Sequence, residues 1–93
     1  MNDAEGYELI VTPPAARALA EGLPEAIATA VIELLTTALV REPHRVGKPL
    51  RRELSGVHSA RRGTYRVLYR IDQERREVIV MRVEHRRDVY RPR

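Results

Sequence analysis

Arg, His and Tyr crowd the last third of this chain at spacings that suit work on a phosphodiester. Arg61 and Arg62 close one candidate strand, and Arg66 and Arg70 lie on the next, two pleats apart and on the same face. Arg82 sits in the last candidate strand, and His85, Arg86, Arg87 and Tyr90 follow it. If these strands run antiparallel side by side, Arg61, Arg66 and the 85–90 segment come within about 10 Å of one another.

Cleavage of RNA needs only such a set. The substrate carries its own nucleophile, the 2′-hydroxyl beside the scissile phosphate. An enzyme must remove that proton, stabilise the extra charge on the phosphate and return a proton to the leaving 5′-oxygen. Arg is the natural stabiliser, because its donors form a planar fork. It is a poor general base, since its pKa stays above about 12. Proton transfer therefore falls to His85, to Tyr90 or to the substrate itself, and Tyr is also able to stack on a base. Each residue has a plainer reading too. An Arg on a strand face is commonly a solvated charge. Tyr65 and Tyr69 alternate with Val67 and Ile71 and read as core, His85 reads equally as a strand cap, and His44 and His58 read as structural or surface residues. The residue types argue for phosphate binding before they argue for catalysis.

Other chemistries find little support. There is no Cys, which removes disulfides, thiolate metal sites and a Cys nucleophile, and fits a reducing cytoplasm. The three His lie in separate segments without the convergent ligands a catalytic metal needs, so neither a metal nor any other cofactor is expected. The carboxylates fall mostly in helices and turns, no Gly-rich phosphate loop is present, and no nucleophile motif surrounds Ser55 or Ser59. The first six residues are polar and acidic, and no stretch approaches the ~20 apolar residues that span a bilayer.

The elements that must position the Arg, His and Tyr groups can be read from pattern. Residues 7–12 read as a short strand. Thr12-Pro13 reads as a helix start, with Thr12 as N-cap and Ala16, Leu19, Ala20 and Leu23 on the inner face up to Gly22. Pro24 opens a longer helix to about residue 41. Ile27, Val31, Leu34, Leu35 and Ala38 form its inner stripe, Ile32 and Leu39 widen it, and Pro43 ends it. Residues 42–56 form a loop, with one turn of structure around 50–54. Strands are expected at 57–62, 64–72 and 77–84, the last apolar enough to lie inside the sheet. In the middle one Tyr65, Val67, Tyr69 and Ile71 share one face, with Arg66, Leu68 and Arg70 on the other. The expectation is a single α+β domain over residues 1–93, with residues 1–6 a flexible tail. A four-stranded sheet, in which the last three strands form an antiparallel meander, is covered on one face by a helix hairpin.

Charge divides along the same line. Residues 1–43 hold 2 Arg against 7 acids, a net of −5, while residues 44–93 hold 15 Lys or Arg against 6 acids, a net of +9. Such a half suits nucleic acid, an acidic partner or both. Of 17 cations only Lys48 is not Arg, a ratio that a GC-rich genome would also produce, although the crowding into one half has no such origin.

The run GVHSARRGTYRVLYRID, the later VMRVEHRRDVYR and the upstream HRVGKPLRREL resemble the RelE/ParE toxin superfamily on its RelE side, across nearly the whole chain. The resemblance implies a metal-free endoribonuclease that enters the ribosomal A site and cuts mRNA. It also implies a RelB-like antitoxin that wraps the toxin and covers its basic surface. By position it gives catalytic parts to Arg61, Arg66, His85, Arg86 and Tyr90, with Arg66 as phosphate stabiliser and His85 as proton carrier. Lys48, Arg51, Arg52, Arg62, Arg70, Arg82 and Arg87 would add RNA contacts. Some members carry a Lys where this chain has Ser59, which leaves the base open. A ParE-type toxin, which shares the fold and inhibits DNA gyrase, is the alternative. The HRRDVY ending favours the nuclease. A silent DNA-binding module is the third reading, and the acidic or apolar helices offer it no recognition helix.

Overall fold

A computed structural model describes residues 6–85. In chain order the elements are β1 (Glu8–Val11), α1 (Pro13–Arg17), α2 (Glu25–Leu34), α3 (Pro43–Val46), β2 (Lys48–Pro49), β3 (Val57–Arg62), β4 (Tyr65–Asp72) and β5 (Glu77–His85). Wider π-type turns extend α1 over Ala18–Gly22 and α2 over Leu35–Leu39, and one tighter turn, Arg52–Leu54, lies between β2 and β3. The strands form one sheet in the order β1-β5-β4-β3-β2, with β1 parallel to β5 and the other pairs antiparallel.

The α+β class and the antiparallel meander are as expected, and β5 lies inside the sheet. The sheet has five strands rather than four, because Lys48 and Pro49 pair with Ser59 and His58. No hydropathy pattern marks that segment, and Pro49 is tolerated because β2 is an edge strand. The long helical run ends at residue 41, ahead of Pro43, as expected, and Glu42 before the proline is non-helical. Pro43 itself starts α3, where its missing N–H costs nothing. Of the expected N-terminal tail, residues 1–5 lie outside the described residues.

The core is aliphatic with two tyrosines. Ala15, Val31, Leu35 and Leu39 of the helices pack on Ala60, Tyr65, Val67, Tyr69, Val78, Val80 and Val83 of the sheet. Each buried Val or Leu contributes about 1.5–3 kcal/mol relative to exposure. The expected stripe of α2 holds at Ile27, Val31, Leu34, Leu35 and Leu39, while Ala38 is exposed and so is Ile32, at 47%. Residues four apart stay in line through the wider turn at Leu35–Leu39, so the buried set steps from Val31 to Leu35 to Leu39. In α1 the buried residue is Ala15, while Ala16 and Ala20 face solvent.

Two contacts fix the connection that leads to β3. The Tyr69 hydroxyl donates to the Pro43 carbonyl at 2.7 Å, tying the centre of the sheet to α3. Burial pushes the pKa of that hydroxyl up to about 12, so it stays a donor. Gly47 follows α3 so closely that a Cβ there would lie 2.7 Å from both the Ser59 carbonyl oxygen and the Tyr69 hydroxyl.

The element that decides which side chains face which way is a bulge in β5. Leu68 pairs with Arg82 and Tyr69 with Val80, so Met81 is an extra residue. Before it Val78 and Val80 face the core, and after it Val83 does. Thr12 holds the bulge. Its Oγ1 lies 2.9 Å from the Val80 carbonyl and 3.0 Å from that of Met81, sharing one proton between them. Thr12 stands at the N-cap position but makes no side-chain cap to α1, because its hydroxyl is committed to β5.

Candidate nucleic-acid interface on the open sheet face

The helices cover the face that carries Tyr65, Val67 and Tyr69, and among the described residues no helix covers the other. Register and alternation arrange that open face in cross-strand rows. One row is Arg61, Arg66 and Glu84. The next is Lys48, Ser59, Leu68 and Arg82. A third is Val57, Arg70, Ile79 and Ile10. Successive rows lie roughly 7 Å apart along the strands.

The sequence expectation is therefore met in part. Arg61 and Arg66 stand directly opposite each other, with Lys48 and Arg82 one row away and Arg70 two rows away. Lys48 is the cross-strand neighbour of Ser59, so a lysine reaches this face from β2 one strand over. Arg51 and Arg52 belong to the loop before β3, whose Leu50 N–H donates to the Val57 carbonyl at 2.8 Å. They thus lie toward the Val57 end of β3, away from Arg61. Arg52 holds a left-handed backbone at φ 60°, uncommon for a residue other than Gly.

Two named residues lie on the covered side. Arg62 pairs with Tyr65, and its guanidinium donates to the Arg61 carbonyl at 2.8 Å and the Val46 carbonyl at 3.1 Å. Its donors brace the loop before β2. His85 also pairs with Tyr65, and its Nε2 lies 3.2 Å from Thr64 Oγ1. Alternation sets it on the face of Val83, opposite to Arg66. Arg86, Arg87 and Tyr90, with the basic tail, lie outside the described residues.

Sequence reasoning did not single out Glu84. Its Oε1 accepts from both Arg66 Nη2, at 2.6 Å, and Arg66 Nε, at 3.2 Å. Simple alternation from Val78 would have turned Glu84 inward, and the bulge at Met81 turns it out. A 9-residue strand with a charged pair after its apolar half was the available signal.

A separate aromatic chain runs on the covered side. His58 stacks on Tyr69 with ring centroids 5.4 Å apart, His44 meets His58 edge-on at 6.0 Å, and Tyr7 meets His44 at 6.4 Å. Gln73 Oε1 lies 2.9 Å from His44 Nε2 and accepts from Tyr7 Oη at 3.0 Å, while the Arg76 guanidinium covers the Tyr7 ring. Buried His58 Nδ1 has no hydrogen-bond partner among the described residues. Burial, and then the charge of His44, lower the His58 pKa. Among the described residues no group of three or more His, Cys, Asp or Glu converges as metal ligands, and no helix is long and apolar enough to cross a membrane.

Comparison with known proteins gives consistent matches. Residues 9–90 match the family model described as the ParE toxin of type II toxin-antitoxin systems, parDE. The chain is 46% identical over 91 residues to Toxin RelE of Mycobacterium tuberculosis, covering 98% of this chain and 93% of that protein. It is 62% identical over 69 residues to Toxin RelG of the same organism, covering 74% and 79%. Among solved structures, the toxin-antitoxin complex RelBE2 from Mycobacterium tuberculosis matches with a TM-score of 0.83 and 56% identity, covering 87% of this chain and 99% of that one.

Proposed function

Because the chain belongs to the ParE toxin family of type II toxin-antitoxin systems, we propose that this toxin is an endoribonuclease that cuts mRNA at the ribosomal A site without a metal. The observation that carries the reading is the pairing of Arg61 with Arg66 on an uncovered sheet face. Two like charges directly opposite each other are unfavourable in a sheet unless an anion sits between or above them. A phosphodiester supplies that anion. In the reaction the 2′-oxygen gives up its proton and bonds to phosphorus. The bond from phosphorus to the 5′-oxygen breaks, and that oxygen takes a proton, leaving a 2′,3′-cyclic phosphate and a 5′-hydroxyl. Arg66 and Arg61 stabilise the charge that builds on the non-bridging oxygens. Lys48, Arg82 and Arg70 hold the flanking backbone, and Tyr90 and the substrate itself are the candidates for proton transfer, since His85 stands on the face opposite to Arg66.

A RelB-like antitoxin is the proposed partner, as in the RelBE2 toxin-antitoxin complex, one chain of which is 56% identical to this one. A half-chain of net +9 attracts an acidic segment strongly. The antitoxin lies over the open face, covers Arg61 and Arg66 and displaces the tail that bears Tyr90. The toxin acts in the cytoplasm, where ribosomes and antitoxin are met.

The test is expression from a tightly controlled promoter, with and without the Arg66→Ala/Tyr90→Phe double change, followed by mapping of RNA ends. New 5′ ends inside translated reading frames, absent for the double variant, support the reading. The family description also favours a second reading, inhibition of DNA gyrase. Growth arrest with intact messages and altered plasmid supercoiling would establish that one instead.

A further inference from the structure

We propose that Glu84 is the positioning residue that presents Arg66 to the scissile phosphate, an inference that rests on the nuclease reading. Arg has two edges able to grip an oxyanion, one through Nε and Nη2 and one through Nη1 and Nη2. Glu84 takes the first, with a single carboxylate oxygen accepting from Nη2 at 2.6 Å and Nε at 3.2 Å. Among the described residues Arg66 Nη1 makes no hydrogen bond, so the second edge is left for substrate.

The pair is about one-third exposed, at 36% for Arg66 and 27% for Glu84. Exposed ion pairs add little to stability, so holding the fold together is a weak reason for it. Holding a rotamer is a better one. An unrestrained Arg samples many conformers, and one clamped along an edge enters the reaction already aimed. Glu84 also stays short of cancelling the site's charge, because Arg61 stands on the other side of Arg66 in the same row. The remaining carboxylates of this face on β4 and β5, Asp72 and Glu77, pair with each other at the far end of those strands. The bulge at Met81 is what brings Glu84 outward to meet Arg66.

The experiment is single-turnover cleavage of mRNA on programmed ribosomes, with binding measured on the same mRNA carrying a 2′-deoxy nucleotide at the cut site. Glu84→Ala should lower kcat by about 10²-fold, since a misplaced group costs on that order, and leave binding and KM nearly unchanged. Glu84→Gln keeps an oxygen able to accept both Arg66 bonds and should restore most of the rate. In an Arg66→Lys background Glu84→Ala should have no further effect, because a positioning residue acts only through the group it positions. Glu84→Asp, with its carboxylate drawn back by one methylene, should show the same kcat loss if the alanine variant does not fold. Full activity of Glu84→Ala overturns the proposal, and so does a Glu84→Gln variant as slow as Glu84→Ala, which would assign the carboxylate to charge or proton transfer. A wild type that leaves the mRNA intact removes the nuclease reading and this inference together, whereas a cutting wild type with an indifferent Glu84 removes this inference alone.

Discussion

Arg61 and Arg66 face each other directly across β3 and β4 on the uncovered side of the sheet. A like-charge pair in that position costs roughly 0.2–1 kcal/mol relative to neutral neighbours, so the fold carries it at a loss. Replacement of Arg61 by Ala should leave the protein as stable or slightly more stable in urea unfolding. The same variant should cut RNA at least tenfold more slowly, about 1.4 kcal/mol in the barrier. A variant that loses stability and keeps activity would refute this account of the pair.

Lys48 enters the same face from the edge strand, opposite Ser59. If it contacts an RNA phosphate, Lys48→Ala should lower the slope of log affinity against log salt by about 0.7, the value for one contact to a single strand. Titrations at several salt concentrations decide it, and an unchanged slope would place Lys48 off the RNA path.

Gly47 is fixed by close approach rather than by backbone angle. A methyl group there would meet the Ser59 carbonyl and the Tyr69 hydroxyl at 2.7 Å. Gly47→Ala should therefore cost about 1–3 kcal/mol of stability, partly by breaking the bond from Tyr69 to Pro43. Denaturant melts measure the cost directly, and the double variant Gly47→Ala/Tyr69→Phe should lose less than the two single losses combined.

His58 makes stability depend on pH. Burial and the neighbouring His44 keep its pKa below the ordinary 6.5. The unfolded chain therefore binds this proton more readily than the folded one. The contribution is intact above pH 6.5 and is lost as pH falls from there through the lowered folded value. Melting temperature should fall as pH is taken from 7 to 5.5, and His58→Phe, which can keep the stacking on Tyr69, should flatten that slope. Equal slopes for the two proteins would mean that His58 is not the group responsible.

Much of this molecule was legible in its sequence because the relevant signals are local. β3 runs over residues 57–62 as read, and the alternation of Tyr65, Val67 and Tyr69 against Arg66 and Arg70 identified the two faces of β4 correctly. Three features were out of reach, each for the same physical reason. β2 exists only because Ser59 and His58 offer it a partner. The buried stripe of α2 passes from Leu35 to Leu39 and misses Ala38 because its last turn widens. The bulge at Met81 is a register event between strands, and a single strand does not announce it. Simple alternation from Val78 would put Arg82 and Glu84 in the core, and only the bulge turns both out to the face of Arg66.

That one unpaired methionine works as a change of phase. Upstream of it the even-numbered residues of β5 point to the helices, and downstream the odd-numbered ones do. Deleting Met81 would let plain alternation keep Val80 beside Tyr69 and Arg82 beside Leu68, with the native sides and no bulge. Straightening the strand with Met81 kept in the ladder would instead drive Arg82 and Glu84 into the hydrocarbon layer and turn Val83 out to water. A point substitution at Met81 is a mild event by comparison, since the spacing survives. Descendants of this gene should accordingly tolerate replacement at this position, and a β5 that loses Met81 should forfeit the Thr12 contact to its carbonyl while Arg82 and Glu84 stay on the open face.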